Sequence, residues 1–333
     1  MALPTAASVV SSGLAAYPSV YFDRVALNTI QSNLAYYGAL DLKTMPNRSG
    51  NVMQIFDHSK MTANTTPVTE GTPFSGQTIT QNTKQITLSQ YADYISISDK
   101  VDKMQLIDQG KAASELLGYR GALSVDNLIS TTLDAARTAD ATTQINLTTA
   151  STYVTAAKVR QAAFSLRSTD TPPKANGLYY GVIHSLIAFD LVNDSAAGGF
   201  QDVWKYTDAS KASLANGISA NHDGTPNRVA TIGGVELFES NNVKSTANYV
   251  STSTGYDTYI FGKNAVIGAS LGKDALGQKN FAVQYSTFPQ GSNSLDPAGL
   301  IRAAVSYNFF FGCSVRTGSV NGFRVIRAVG SLT

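Results

Sequence analysis

Apolar residues between Val101 and Arg137 recur at helical spacing. At 100° per residue Leu106, Gly110, Ala113, Leu117, Gly121, Leu128 and Ala135 share one side, and Asp108, Lys111, Glu115 and Asp126 the other. The pattern predicts an amphipathic helix with a narrow seam of small residues, roughly 50 Å long at about 1.5 Å per residue. Gly110, Gly118 and Gly121 each weaken it by up to about 1 kcal/mol relative to Ala. Either a neighbour packs on the seam too closely for a side chain, or the helix bends there. Asp99 stands where an N-cap is wanted.

Ahead of the helix the period changes to two. NVMQIF, from Asn51, reads as a strand, and in QITLSQYADYISISDKV Ile86, Leu88, Ile95 and Ile97 alternate with polar residues. The phase breaks near Tyr91, which predicts a bulge or bend. Between the strands lies a polar stretch, His58 to Lys84, punctuated by Pro67, Gly71, Pro73 and Gly76. Residues 51 to 98 thus read as a long two-stranded excursion that needs a partner surface, because an isolated hairpin is marginal in water. Residues 1 to 48 hold no sustained period, although Tyr21 to Tyr37 fits a helix. They carry too many apolar side chains for free disorder and read as an arm ordered by lying across something else.

After the helix, Thr138 to Thr152 reads as a Thr-rich loop and Tyr153 to Arg167 as a second amphipathic helix, with Val159, Ala163 and Leu166 on one side. Leu178 to His184 reads as a buried strand, Leu186 to Asn193 as a short helix, and Asp194 to Asn227 as a loop. RVATIGGVELFESNNV predicts a hairpin turning at Gly233–Gly234. Tyr256 to Phe261 and Phe281 to Phe288 read as strands and Asn264 to Leu271 as a short helix. Ile301 to Arg316 and Gly322 to Gly330 give the strongest strand signals, joined by a turn and expected to pair beside the long helix. The class is α+β with a mixed sheet.

Composition narrows the function. Only 14% of the 333 residues are charged, against roughly 25% in an average soluble protein. Low charge suits surfaces that end against other proteins, where each desolvated charge is a cost. A net charge of +2 gives no nucleic-acid signature. Cys313 is the single cysteine, which excludes an intrachain disulfide and multi-thiolate metal sites. No run has transmembrane length, and the N-terminal residues lack the basic start of a secretory signal, which places synthesis in a cytoplasm.

Candidate chemistry is thin. His184, Asp190 and a serine would make a triad on paper, without a G-x-S-x-G elbow to support it; the plainer reading is that His184 ends a strand. Asn221 to Asn227 carries oxygens for Ca²⁺ but not the EF-hand spacing, and a turn explains it. No phosphate loop or dinucleotide fingerprint occurs. Lys84 reads as a solvated hairpin lysine, with an isopeptide link to a neighbour's Asn as the alternative. No constellation suggests an enzyme.

The order arm, polar two-stranded loop, long helix, α+β region and long closing strands resembles the major capsid protein fold of tailed double-stranded DNA phages, the Hong Kong 97-type fold. The wording is similar to the phage N-four-type capsid family in four places. These are VTEGTPFSGQTITQNTKQITLSQYADYISISDKV, LRSTDTPPKANGLYYGVIHSLIAFDLVND, IGGVELFESNNV and SLDPAGLIRAAVSYNFFFGCSVR. One departure is His184–Ser185, where that family often reads His-Pro. The resemblance implies an N-terminal arm (1–48), an extended E-loop (49–98), a P-domain spine helix (99–149), an A-domain (150–298) and returning P-domain strands (299–333). It implies self-assembly of hexamers and pentamers into an icosahedral virion head around double-stranded DNA bound without sequence specificity. It also implies a portal protein, a separate scaffolding protein and a decoration protein as partners, with no cofactor and no membrane. Inter-subunit contacts are expected at Tyr21, Phe22, Glu70, Phe74, Lys84 and Tyr91, and loss of Thr65 to Thr83 is expected to spare the fold and abolish shells. The alternatives are an encapsulin-type nanocompartment shell, an adhesin, which the long internal helix and lack of β repeats oppose, and a hydrolase, which lacks a nucleophile motif.

Overall fold

The computed structural model describes residues 35–58, 61–71, 73, 76–100, 109–140, 143–146, 153–174, 177–195, 199, 228–250, 253–272, 282–287, 300–316 and 322–329. A 3₁₀ turn at Tyr36–Ala39 leads into β1 (Leu40–Met45). β2 (Val52–His58), β3 (Gln81–Thr87) and β4 (Ser89–Ser98) follow, then the long helix α1 (Gln109–Ala139). Next come β5 (Gln144–Asn146), α2 (Ala156–Ser168), β6 (Tyr179–Ile183), α3 (Ser185–Val192), β7 (Arg228–Ile232) and β8 (Val235–Glu239). β9 (Ser245–Val250), β10 (Ser253–Phe261), β11 (Val266–Leu271), β12 (Ala282–Thr287), β13 (Ile301–Val315) and β14 (Phe323–Val329) complete the described elements.

Two mixed sheets and one hairpin result. The five-stranded sheet runs β1-β11-β13-β12, with β4 also on β13. β13 is long enough to pair with β4 over Ile301–Phe311, with β12 over Ala303–Asn308 and with β11 over Phe311–Val315. The seven-stranded sheet runs β5-β14-β10-β6-β8-β7, with β9 also on β10. β2 and β3 pair only with each other.

α1 joins the two sheets. Its buried Leu117, Ile129 and Leu133 share one core with Phe309 and Phe311 of β13, Tyr259 and Phe261 of β10, and Val325 of β14. α2 forms because AAKVRQAAFSLRS is rich in helix formers, and it lays Val159, Ala162, Ala163 and Leu166 on Ile183, Val235, Ile260 and Ile326 of the seven-stranded sheet. A third, small core of Met45, Ile86, Leu88, Ile267 and Ala269 roots the hairpin on β1 and β11.

Several expectations are corrected. Asn264 to Leu271 is not a helix: Asn264 turns the chain at φ 57°, and Val266–Leu271 is a strand fixed by β1 on one side and β13 on the other. The phase break lies between Leu88 and Tyr91, because β3 stays in the hairpin while β4 joins β13. The two-stranded excursion therefore ends at Thr87. There β13 runs so close that a Cβ on Gly312 would sit 2.4 Å from the Thr87 carbonyl oxygen. The stretch read as a loop after Arg137 instead prolongs α1 to Ala139 and includes β5, parallel to β14. β9 lay in a stretch given no element. The two closing strands do pair with strands already built and share a core with α1, as expected, but each in its own sheet. Part of the expected arm, Leu40–Met45, is a sheet strand. Asp99 is itself helical, and the long helix is described only from Gln109. α1 is unbroken through Gly118 and Gly121, both buried; Ala135, assigned to the seam, is exposed, and Asp126, assigned to the polar side, is fully buried.

Candidate assembly surfaces

The hairpin projects with little to cover it. Its seven pairs run from Val52↔Thr87 to His58↔Gln81. Ile86 is buried against the sheet, and Met53 and Ile55 pack beside it. Farther out the apolar side chains face solvent: Phe56 is 56% exposed, Met61 57%, Val68 62% and Ile79 68%. Every described residue from 61 to 71 is exposed, Glu70 among them. Large apolar side chains grouped in this way mark a contact surface.

An open cleft of about 140 Å³ lies where the hairpin meets the five-stranded sheet. Ile55, Ile86, Ile267 and Val315 supply apolar lining, and Lys43, Lys84 and Arg316 supply charge. These come from β2, β3, β1, β11 and the end of β13, so the cleft exists only once the hairpin is seated.

A second surface fixes the chain at Ala35–Ala39, where the first 34 residues join the body. Asp126 of α1 accepts the Ala35 N–H at 3.4 Å, and Tyr180 of β6 donates its hydroxyl to the Ala35 carbonyl at 2.7 Å. Lys174 donates to the carbonyls of Gly38, at 3.2 Å, and Ala39, and lies 3.9 Å from Asp41. Tyr36 is fully buried, edge-on to Tyr259 at 6.1 Å. A Cβ on Gly38 would sit 2.6 Å from the Tyr180 hydroxyl, so only glycine fits. Burial raises the Asp126 carboxyl to about 6, although the Ala35 and Tyr36 N–H groups and the Asn242 side chain favour its ionised form. Burial likewise lowers the Lys174 ammonium, which Asp41 partly offsets.

The far end of α1 is tied to the seven-stranded sheet by charge. Arg327 of β14 holds Asp257 of β10 through two bonds of 2.5 and 2.6 Å, and Arg137 and Asp134 of α1 close the group. On its outer side α1 exposes Leu116 and Tyr119, and Arg120 reaches Asp93 of β4 at 2.7 Å, beside exposed Tyr94.

Of the residues expected at contacts, Glu70 is exposed on the hairpin loop and Lys84 lines the cleft. Tyr91 is half-buried and stacks on Phe309 of its own chain at 5.5 Å. Tyr21, Phe22 and Phe74 lie outside the described residues, as does the Asn221 to Asn227 turn. His184 caps α3: its Nδ1 accepts the Leu186 N–H at 3.2 Å, and its ring stacks on Tyr256 at 4.2 Å. This accounts for a histidine at the strand end without a triad. Asp126, Lys174 and Tyr180 were missed. Ile129 and Leu133, three and seven positions after Asp126 and so on its side of the helix, were the available signal for the first; the other two had none. Among the described residues no three His, Cys, Asp or Glu side chains gather as metal ligands, and no helix is long and apolar enough to cross a membrane.

No protein-family model matches the sequence, and no curated protein sequence resembles it. Solved structures do resemble the fold. The capsid of Ralstonia phage GP4 superposes with a TM-score of 0.69 at 15% identity, over 98% of this chain and 96% of that one. The fold is that of a phage capsid protein. The head structure of Helicobacter pylori bacteriophage KHP40 matches at a TM-score of 0.63 and 13% identity, over 89% of this chain and 91% of that chain. The capsid of cyanophage P-SCSP1u matches at 0.58 and 16%, over 90% of each chain. The chain thus has a Hong Kong 97-like capsid fold at 13–16% identity to these structures.

Proposed function

We propose that this chain is the major capsid protein of a tailed phage, a structural subunit and not an enzyme. The observation that carries the reading is a fold match to a phage capsid over 98% of this chain and 96% of the other. In this reading residues 1–48 form the N-terminal arm with its anchoring strand β1, 49–98 the E-loop with its root β4 in the five-stranded sheet, 99–149 the spine region, 150–298 the A-domain and 299–333 the returning strands. Hexamers and pentamers close into an icosahedral shell, each weak contact multiplied by avidity. The exposed apolar hairpin loop then has its cover in a neighbouring copy, and the low charge lowers the desolvation cost of broad interfaces. A separate scaffolding protein guides closure, a portal protein fills one vertex, and double-stranded DNA is packaged without sequence specificity; a decoration protein is a further partner. The protein resides in the virion and is made in the bacterial cytoplasm.

The contents of particles made in cells test this. Nuclease-protected double-stranded DNA inside heads whose main protein is this chain is the expected result. Shells filled with a single enzyme would instead support the nanocompartment alternative.

A further inference from the structure

We propose that the outer edge of α2, where Arg160 and Arg167 meet the Gly233–Gly234 turn, contacts the phosphate backbone of the packaged double-stranded DNA. The inference rests on the capsid reading for its ligand, and it names the side chains that touch it.

α2 carries Lys158, Arg160 and Arg167 and no acidic residue. At 100° per residue Arg160, Phe164 and Arg167 fall within about 60° of one another, on a side away from the buried Val159, Ala162 and Leu166. Both arginines lie across the turn between β7 and β8. A Cβ on Gly233 would collide with the Cγ of Arg160, and one on Gly234 would sit 2.6 Å from a guanidinium nitrogen of Arg167. The glycines that give the turn its positive φ therefore also let the two side chains lie close. Aromatic rings hold Arg167 in place: its guanidinium carbon is 5.3 Å from the centre of the Phe164 ring and 5.9 Å from that of Tyr179. Phe164, 60% exposed, is thus the platform for a cation.

The charge gathered here has no counter-ion. Among the described residues neither Arg160 nor Arg167 forms an ion pair or a hydrogen bond. The nearby acids are engaged elsewhere. Glu236 of β8 holds Arg228 of β7 at 2.9 Å, Asp194 accepts the Ala156 N–H at 2.9 Å, and Asp170 has a partner of its own. Two guanidinium groups brought to one turn repel each other, and an anion bound across them removes that cost. Their planar forks match phosphate oxygens.

A phosphodiester backbone fits this edge better than an acidic protein segment. Such a segment would need an apolar anchor beside its carboxylates, and the large apolar side chain here already lies against Arg167. A duplex presents a phosphate on each strand about every 3.4 Å of axis, so the pair meets phosphates in any sequence. Backbone contacts position DNA without reading it, which suits a chain whose net charge of +2 gives no wider nucleic-acid signature.

Salt dependence decides it. Full-length protein, as dissociated subunits, is titrated into a short fluorescent duplex of mixed sequence at about 50 to 200 mM salt. Saturable binding is expected, with log K falling linearly against log salt and changing no more than about twofold with duplex sequence. Arg160→Gln with Arg167→Gln lowers the slope by about 2, the value for two lost phosphate contacts, and weakens binding at least about tenfold at the lowest salt. Arg160→Lys with Arg167→Lys keeps the slope. Unchanged melting temperatures show that each variant folds. No saturable binding below about 0.1 mM protein, or a slope that the glutamine pair leaves unchanged, overturns the proposal. A polyglutamate peptide of equal charge that binds as tightly as the duplex, and loses binding with the glutamine pair, also overturns it in favour of an acidic protein partner. DNA-filled heads together with an unchanged slope would sink the contact and leave the capsid reading standing. A slope lowered by about 2 in a protein that yields no heads would do the reverse.

Discussion

β14 and β3 are both seven-residue strands carrying basic residues, and they end in opposite environments. β14, FRVIRAV, is buried at all seven positions, two of them arginine. β5 and β10 flank it, and each of its charges is answered inside the chain, Arg327 by Asp257 and Arg324 by Ser165. β3, QNTKQIT, has one buried residue and one partner strand. Its hairpin leaves Phe56 and, beyond it, Met61, Val68 and Ile79 in water. The body is closed by its own residues; the hairpin leaves apolar side chains uncovered.

Removing the hairpin loop separates the two regions most sharply. Replacing residues 63–78 by a short Gly-Ser linker cuts outside the last pair, His58↔Gln81. The melting temperature is expected to stay within about 2 °C of wild type while electron micrographs lose every shell. Normal shells from this variant would refute the division of labour.

Within the body, Asp257→Ala removes both close bonds of Arg327, leaving it Asp134 at 4.0 Å, and is expected to cost about 3–5 kcal/mol in denaturant titrations. The half-exposed Asp93–Arg120 pair is the control: Asp93→Ala should cost under about 1 kcal/mol. Equal costs would contradict the assignment of the Asp257 group as the tie between α1 and the seven-stranded sheet.

Asp126 gives the body a pH signature. Its folded carboxyl titrates near 6, above the ordinary carboxylate range, so the folded state binds a proton that the unfolded chain releases. The stabilisation is complete below about pH 4, where the unfolded carboxyl is protonated too, and is lost as pH rises through 6. Its size is at most about 3 kcal/mol. Urea titrations at pH 5 and pH 7 should show this gain in wild type relative to Asp126→Asn, which cannot titrate; parallel curves would remove Asp126 from the account. Gly38→Ala, which drives a methyl into the Tyr180 hydroxyl, is expected to cost about 1–3 kcal/mol. The smallest effect is expected at Leu116→Ser on the outer side of α1: stability within about 0.5 kcal/mol of wild type, with shell yield reduced.

What the sequence revealed follows how local each cause is. The Gly233–Gly234 hairpin was legible because its turn needs positive φ at both positions, 59° and 87°, which paired glycines provide. α2, β6 and α3 were legible from their own periods. β11 was not: AVIGASL fits helix or strand, and β1 and β13, each far away in sequence, decide. Asp126 was misplaced because its partner, Ala35, lies 91 residues away. The exposure of Glu70 could be read from its polar surroundings, whereas the cleft could not, since Lys43, Lys84 and Arg316 meet only after three separate strands come together.

Negative-stain electron microscopy of the purified full-length protein, with a crowding agent to favour association, tests the central claim most directly. Closed shells, or free hexamers and pentamers, are predicted. Fibres or trimeric rods would contradict it.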